Sequence, residues 1–175
     1  MEKKQGGVSV KTKIAIAVAF LMLFGVIFGA CTPHTDYFEP FRGSFTAEVE
    51  GTLNGEAFVA ELCADAVPED GGSREVTVTF YAPEGLKGTE ARRSADGSVT
   101  LTSGGVAIKD ARAEGLHALF DLFPLSGEVI EVELCEEEHT RVTGKGFTLT
   151  FLSDGSPFAV ETPTVTATVV RFEKG

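Results

Sequence analysis

Paired turn residues set between alternating apolar runs constrain this chain more than any other feature. Phe45, Ala47 and Val49 alternate with Thr46, Glu48 and Glu50, the period of two that belongs to a half-buried strand. Asn54-Gly55 follows, and it is the strongest short-range hairpin signal because both central positions of a type I′ turn need positive φ. A two-residue loop there pairs Val49 with Ala60, Ala47 with Leu62 and Phe45 with Ala64, so the apolar faces coincide. The opposite face sets Glu48 against Glu61 and Thr46 against Cys63. Like charges that face each other belong in water.

The same pattern continues. Val76, Val78 and Phe80 alternate with Thr77, Thr79 and Tyr81 until Pro83 ends the strand. Asp96-Gly97 marks another hairpin, Ser103-Gly104-Gly105 a turn before Val106 and Ile108, and Asp154-Gly155 a further turn. Later strands are predicted over Val129 to Glu136, Gly146 to Leu152, Phe158 to Thr162 and Thr164 to Phe172, giving about ten. One segment breaks the period: Leu116, Leu119, Phe120 and Phe123 fall at i, i+3, i+4 and i+7, one face of a helix that Pro124 stops. That stripe either packs into the core or acts as a lid over a hydrophobic cavity. Parallel strands need crossovers of a dozen or more residues, so the hairpins exclude a parallel α/β sheet. The expected fold is mainly β: a strongly curved antiparallel sheet, an unclosed half-barrel, with one helix on its concave side.

The N-terminus is of another kind. Lys3, Lys4, Lys11 and Lys13 precede an apolar run of 17 residues, Ile14 to Ala30. Cationic start and apolar stretch together read as an export signal. The run ends Phe28-Gly29-Ala30-Cys31, which resembles the lipobox of bacterial lipoproteins, where the cysteine is lipid-modified and becomes the new N-terminus. Phe28 stands where an aliphatic residue is usual, and its bulk argues against ordinary signal-peptidase cleavage after Ala30. The alternative is an uncleaved membrane anchor, and both readings put the body outside the cytoplasm. The domain organisation read from this is a signal peptide over 1–30, a lipidated N-terminus and tether over 31–43, and one antiparallel domain over 44–175. The aromatics Tyr37, Phe38 and Phe41 are more than a free tether needs, which predicts that part of it packs on the body or sits near the bilayer surface.

Charge narrows the partners. The chain has 15 Lys plus Arg and 26 Asp plus Glu; without its first 30 residues, 11 cations face 25 acids, a net of −14. Such a body is repelled by phosphate backbones, and no nucleic-acid partner is expected. If Cys31 is lipidated, Cys63 and Cys135 remain as an even pair in an oxidising compartment. Both alternate with acids on outward faces, as partners on neighbouring strands would. A bridge closing ~72 residues would stabilise by roughly 4 kcal/mol in the chain-entropy picture.

Cys135-Glu136-Glu137-Glu138-His139 contains metal-ligand residue types, but adjacent strand residues point to opposite faces and no second spaced pair follows, so it reads as an acidic, solvated strand end. Of the adjacent Arg92 and Arg93, at most one can point inward, to meet an anionic head group or a buried acid; the other reading is of surface arginines. There is no Gly-x-Ser-x-Gly, no Gly-x-x-x-x-Gly-Lys and no His-Glu-x-x-His. The reading is of a non-enzymatic protein with no cofactor and no metal.

The lipobox, the hairpin meander, Phe80-Tyr81-Ala82-Pro83 followed by the Asp96-Gly97 hairpin, the helix after six strands, and Phe147-Thr148-Leu149-Thr150 with Asp154-Gly155-Ser156-Pro157 together resemble the envelope lipid-carrier half-barrel proteins, the LolA, LppX and RseB-like group. The resemblance covers roughly residues 41–172. It implies an unclosed barrel whose concave wall receives acyl chains or another hydrophobic ligand. Wall candidates by strand parity are Phe45, Val49, Phe58, Leu62, Val76, Val78 and Phe80, with Leu119, Phe120 and Phe123 from the helix. Each is equally a candidate for plain core. Beside the ligand-binding reading stands that of an interaction module with a filled core, in which the outer face or exposed strand edges bind another envelope protein.

Overall fold

The computed structural model describes residues 35–69, 72–109, 111, 114–135 and 138–175. The stretch read as an export signal and Cys31 lie outside the described residues. By contacts the chain divides into two units, Met1–Asp36 and Tyr37–Gly175. The second is the antiparallel body.

Its strands are β1 (Phe45–Leu53), β2 (Glu56–Ala64), β3 (Val76–Ala82), β4 (Glu90–Arg93), β5 (Val99–Ser103), β6 (Val106–Lys109), β7 (Val129–Leu134), β8 (Thr140–Gly144), β9 (Phe147–Phe151), β10 (Pro157–Glu161) and β11 (Val165–Lys174). Among the described residues the α-helix is α1 (Glu114–Phe120), and short 3₁₀ turns include η1 (Glu39–Phe41) and η2 (Glu84–Leu86). All pairings are antiparallel, in the order β6-β5-β4-β3-β2-β1-β11-β10-β9-β8-β7. The sheet is an open half-barrel. Two meanders, β1–β6 and β7–β11, start and finish back to back at the β1–β11 pair. The chain must therefore cross from one edge strand to the other, and α1 makes that passage.

The first hairpin has the predicted register: Phe45 opposite Ala64, Ala47 opposite Leu62, Val49 opposite Ala60, and Glu48 opposite Glu61. Asn54 and Gly55 both take positive φ, at 52° and 86°. Arg171 on β11 lies opposite Glu48 and reaches the Glu61 carboxylate at 3.4 Å, so a cation relieves the two facing acids. Asp96 and Asp154 each accept a hydrogen bond from the backbone N–H two residues on, at 2.9 and 2.8 Å, and so pin their turns.

Among the described residues eleven strands form where ten were expected. The additional one is β8, whose sequence Thr-Arg-Val-Thr-Gly holds a single large apolar side chain, Val142. The helix is also shorter than its stripe. It ends at Phe120, after which the Asp121 N–H donates to the His117 carbonyl and the Leu122 N–H to that of Leu119. Phe123 therefore sits in the following turn, although it is buried as expected, together with the unpredicted Leu122.

The core occupies one face of the sheet, beneath α1. At the end where β1 begins and β11 ends it is aromatic. Phe41 from η1 stacks on Phe123 at 5.0 Å, and Phe45 meets Phe123 edge-on at 5.3 Å and stacks on Phe172 at 5.2 Å. Phe38 and Phe41, from the stretch read as a tether, are thus core residues. Near the other end Gly51 lies opposite Ala167, where a Cβ would run into the Thr166 carbonyl oxygen; only glycine lets β1 and β11 approach so closely.

Candidate functional site

At the Asn54-Gly55 end of the buried face, the packing opens into a groove of about 470 Å³. Four parts of the chain form it. The β1–β2 hairpin contributes Leu53, Asn54, Glu56, Ala57 and Phe58; β3 and β5 contribute Phe80 and Leu101; the η2 loop contributes Pro83, Leu86 and Thr89; and the first turn of α1 contributes Gly115 and Leu116. Phe58 and Phe80 are nearly fully buried, whereas Leu86 is exposed.

The η2 loop is shaped by backbone bonds. The Leu86 N–H donates to the Pro83 carbonyl, and Gly88, at positive φ, returns its N–H to Phe80 at 2.8 Å. The Phe80 N–H in turn donates to the Thr89 carbonyl at 2.9 Å. This fold-back sets Leu86 at the lip and buries Thr89, whose hydroxyl donates to Ser103 Oγ at 3.0 Å. Across the groove, a Cβ on Gly115 would lie 3.1 Å from Leu53 Cδ2, so glycine there gives Leu53 its room. A concave, mostly apolar site with a few polar groups at its edge suits sequestration of a hydrophobic molecule.

Of the ten predicted wall residues, Phe58 and Phe80 line this groove. The other eight, Phe45, Val49, Leu62, Val76, Val78, Leu119, Phe120 and Phe123, do not line it and are buried in the core cluster. Leu53, Pro83, Leu86, Leu101, Gly115 and Leu116 were not predicted as wall. Leu116 belonged to the helical stripe, but the η2 residues follow no period, so their convergence carries no local signal.

The arginines divide as strand parity requires. Arg92 points outward to Glu75 at 2.6 Å. Arg93 points inward over the Phe120 ring and pairs with Asp121 at 2.7 Å. Beside it Arg74, missed in the sequence, is 5% exposed; it donates to the Phe41 carbonyl at 2.6 Å and lies over the Phe45 ring. Burial, and then the charge of Arg93, lower the Arg74 pKa, while Asp121 opposes them. These cations brace the aromatic end of the core and do not line the groove.

The candidate Cys63–Cys135 bridge is not formed: both thiols are free. Strand parity had placed them correctly on outward faces but is silent about strand order. Five strands separate β2 from β7. At ~4.8 Å per strand the path along the sheet is roughly 29 Å, against the ~7 Å between Cα atoms that a disulfide tolerates. Cys63 instead lies 3.7 Å from Thr46 Oγ1, its cross-strand neighbour. Among the described residues, no group of three or more His, Cys, Asp or Glu is placed to hold a metal ion, and no helix is long and apolar enough to cross a membrane.

No protein-family model and no curated protein matches the chain. Among solved structures, MucB superposes with a TM-score of 0.47 at 14% identity, over 83% of this chain and 60% of that one. A LolA superfamily protein from Nitrosomonas europaea gives 0.31 at 11% identity, over 76% of this chain and 70% of that one. An uncharacterized conserved protein from Thermus thermophilus gives 0.52 at 14% identity, over 78% of this chain and 82% of that one. At that identity the Thermus protein shares a fold with this chain.

Proposed function

We propose that the mature protein is an extracytoplasmic lipoprotein, held to the membrane through Cys31, whose half-barrel takes one hydrophobic molecule or lipid acyl chain into the groove between α1 and η2. The groove carries this reading. Its volume of about 470 Å³ exceeds the ~300 Å³ at which drug-sized ligand sites begin, and Leu53, Phe58, Phe80, Leu101 and Leu116 line it. The rings at the aromatic end of the same face are buried against one another, which favours entry at the Asn54-Gly55 end. The leader supports the location: four lysines, an apolar run and Phe28-Gly29-Ala30-Cys31. The role is binding, not catalysis.

Native mass spectrometry after gentle extraction tests both halves. The expected result is a mature N-terminus at lipidated Cys31 and a co-purified hydrophobic molecule. A bare mass, with no uptake of fluorescent fatty acids or fatty alcohols, would remove the ligand-binding reading. A second reading, an envelope interaction module, draws on the burial of the other eight wall candidates.

A further inference from the structure

The apolar inner face runs on past the part that is covered. One row across the sheet reads Val132, Val142, Leu149, Val160 and Ala167 by direct cross-strand pairing. Val142, Leu149 and Val160 are fully buried, yet Val132 on β7 is 47% exposed. Leu134, two residues on and on the same face, is 78% exposed, and Ile130, at the β-bulge between Val129 and Glu131, is 66% exposed. The other face of the strand carries Glu131 and Glu133. Among the described residues β7 pairs with β8 alone, so its second edge is open.

The backbone of that edge is also oriented. The Cys135 N–H donates to the His139 carbonyl at 2.8 Å. By the antiparallel alternation, Glu133 and Glu131 likewise direct their backbone groups to β8, and Leu134 and Val132 direct theirs to the open edge. The residues that offer free backbone donors and acceptors are thus those whose apolar side chains are uncovered. Natural sheets blunt such an edge with prolines, lysines or inward charges, and β7 has none of these.

A second copy of β7 is a poor occupant. Two-fold pairing centred on Val132 puts Glu131 opposite Glu133, and pairing centred on Glu133 puts that residue opposite itself. Like charges in direct opposition destabilise a sheet. A bilayer with anionic head groups is repelled by the same carboxylates. We propose that β7 is a docking edge for an extended segment of another protein that alternates apolar with cationic residues and adds as a twelfth strand. Its apolar side chains cover Val132 and Leu134, and its cations face Glu131 and Glu133.

Fluorescence anisotropy of the mature chain with short labelled peptides tests this. An alternating Val-Lys peptide is expected to bind, a Val-Glu peptide roughly tenfold or more weaker, and added salt to weaken the first. Leu134→Lys removes the most exposed apolar side chain, and Val132→Pro removes an N–H that β8 does not use. Each should weaken the Val-Lys peptide about tenfold. Unchanged denaturation midpoints and unchanged hydrophobic-probe uptake exclude unfolding as the cause. Equal binding of the Val-Lys and Val-Glu peptides, or indifference to both variants, would overturn the proposal. Dimerisation of the mature chain, or partition onto phosphatidylcholine vesicles, abolished by Leu134→Lys would also overturn it, assigning the edge to self-pairing or to membrane.

Discussion

Replacing Leu101 with tryptophan separates the groove from the core around it. Leu101 lies on β5 in a row that runs through Ala91 to the fully buried Val78, and it lines the groove at the end of that row. A larger side chain at Leu101 finds empty space. At Val78 it meets packed neighbours, and overpacking costs about 1–3 kcal/mol. Leu101→Trp is therefore expected to leave stability within ~1 kcal/mol of the parent, whereas Val78→Phe loses the full overpacking penalty. The effect on ligand is the reverse. A tryptophan covers up to ~200 Å², and if half of that displaces ligand contact, roughly 100 Å² at ~25 cal/mol per Å² removes about 2.5 kcal/mol. That corresponds to roughly 70-fold in Kd. Displacement of an environment-sensitive hydrophobic probe reads the affinity, and urea denaturation reads the stability. If Leu101→Trp proves as destabilising as Val78→Phe and probe affinity does not change, the groove is not the binding site.

Three further outcomes follow from the packing and charges. Gly51→Ala should destabilise by about 1–3 kcal/mol in thermal or urea unfolding, because its Cβ forces β1 away from the Thr166 carbonyl and this approach has no flexible side chain to yield. Arg74→Ala should cost about 2–4 kcal/mol by the same measurement, since it strands the buried Phe41 carbonyl and opens space beneath Phe45, whereas Arg92→Ala, which loses only a solvent-exposed ion pair with Glu75, should lower the midpoint far less. Acid unfolding should follow three lowered carboxylates: Glu75 beside Arg92, Asp96 bonded by Ser98, and Asp154 bonded by Ser156. Their stabilisation is complete above the ordinary carboxylate pKa of ~4 and fades as pH falls through the lower folded-state values. The double variant Asp96→Asn, Asp154→Asn should flatten that acid limb in a pH series of denaturation midpoints.

How far the sequence could be read depended on whether a residue's role is local. Asn54-Gly55 and the alternation on either side determine the β1–β2 register within one hairpin, and every predicted pair in it is present. β8 escaped because one apolar residue, Val142, makes no period. Phe123 fitted a helical stripe but is buried from a turn, as four spaced positions do not distinguish a helix from a helix plus a bend. The cysteine pairing failed on strand order, which depends on how α1 carries the chain between edges. The groove was legible only through Phe58 and Phe80, which alternate on strands. Its other walls come from Pro83, Leu86 and Gly115, brought together by the η2 fold-back and the start of α1.

The central claim is that a hydrophobic ligand sits against one end of the inner face. Photo-crosslinking the mature protein with a diazirine-bearing fatty alcohol, followed by peptide mapping, tests it most directly. Label is expected in the residues that line the groove, over 53–58, 80–89 and 115–116, and is lost in Leu101→Trp. Label confined to β7, or spread evenly over the body and unaffected by Leu101→Trp, would contradict it.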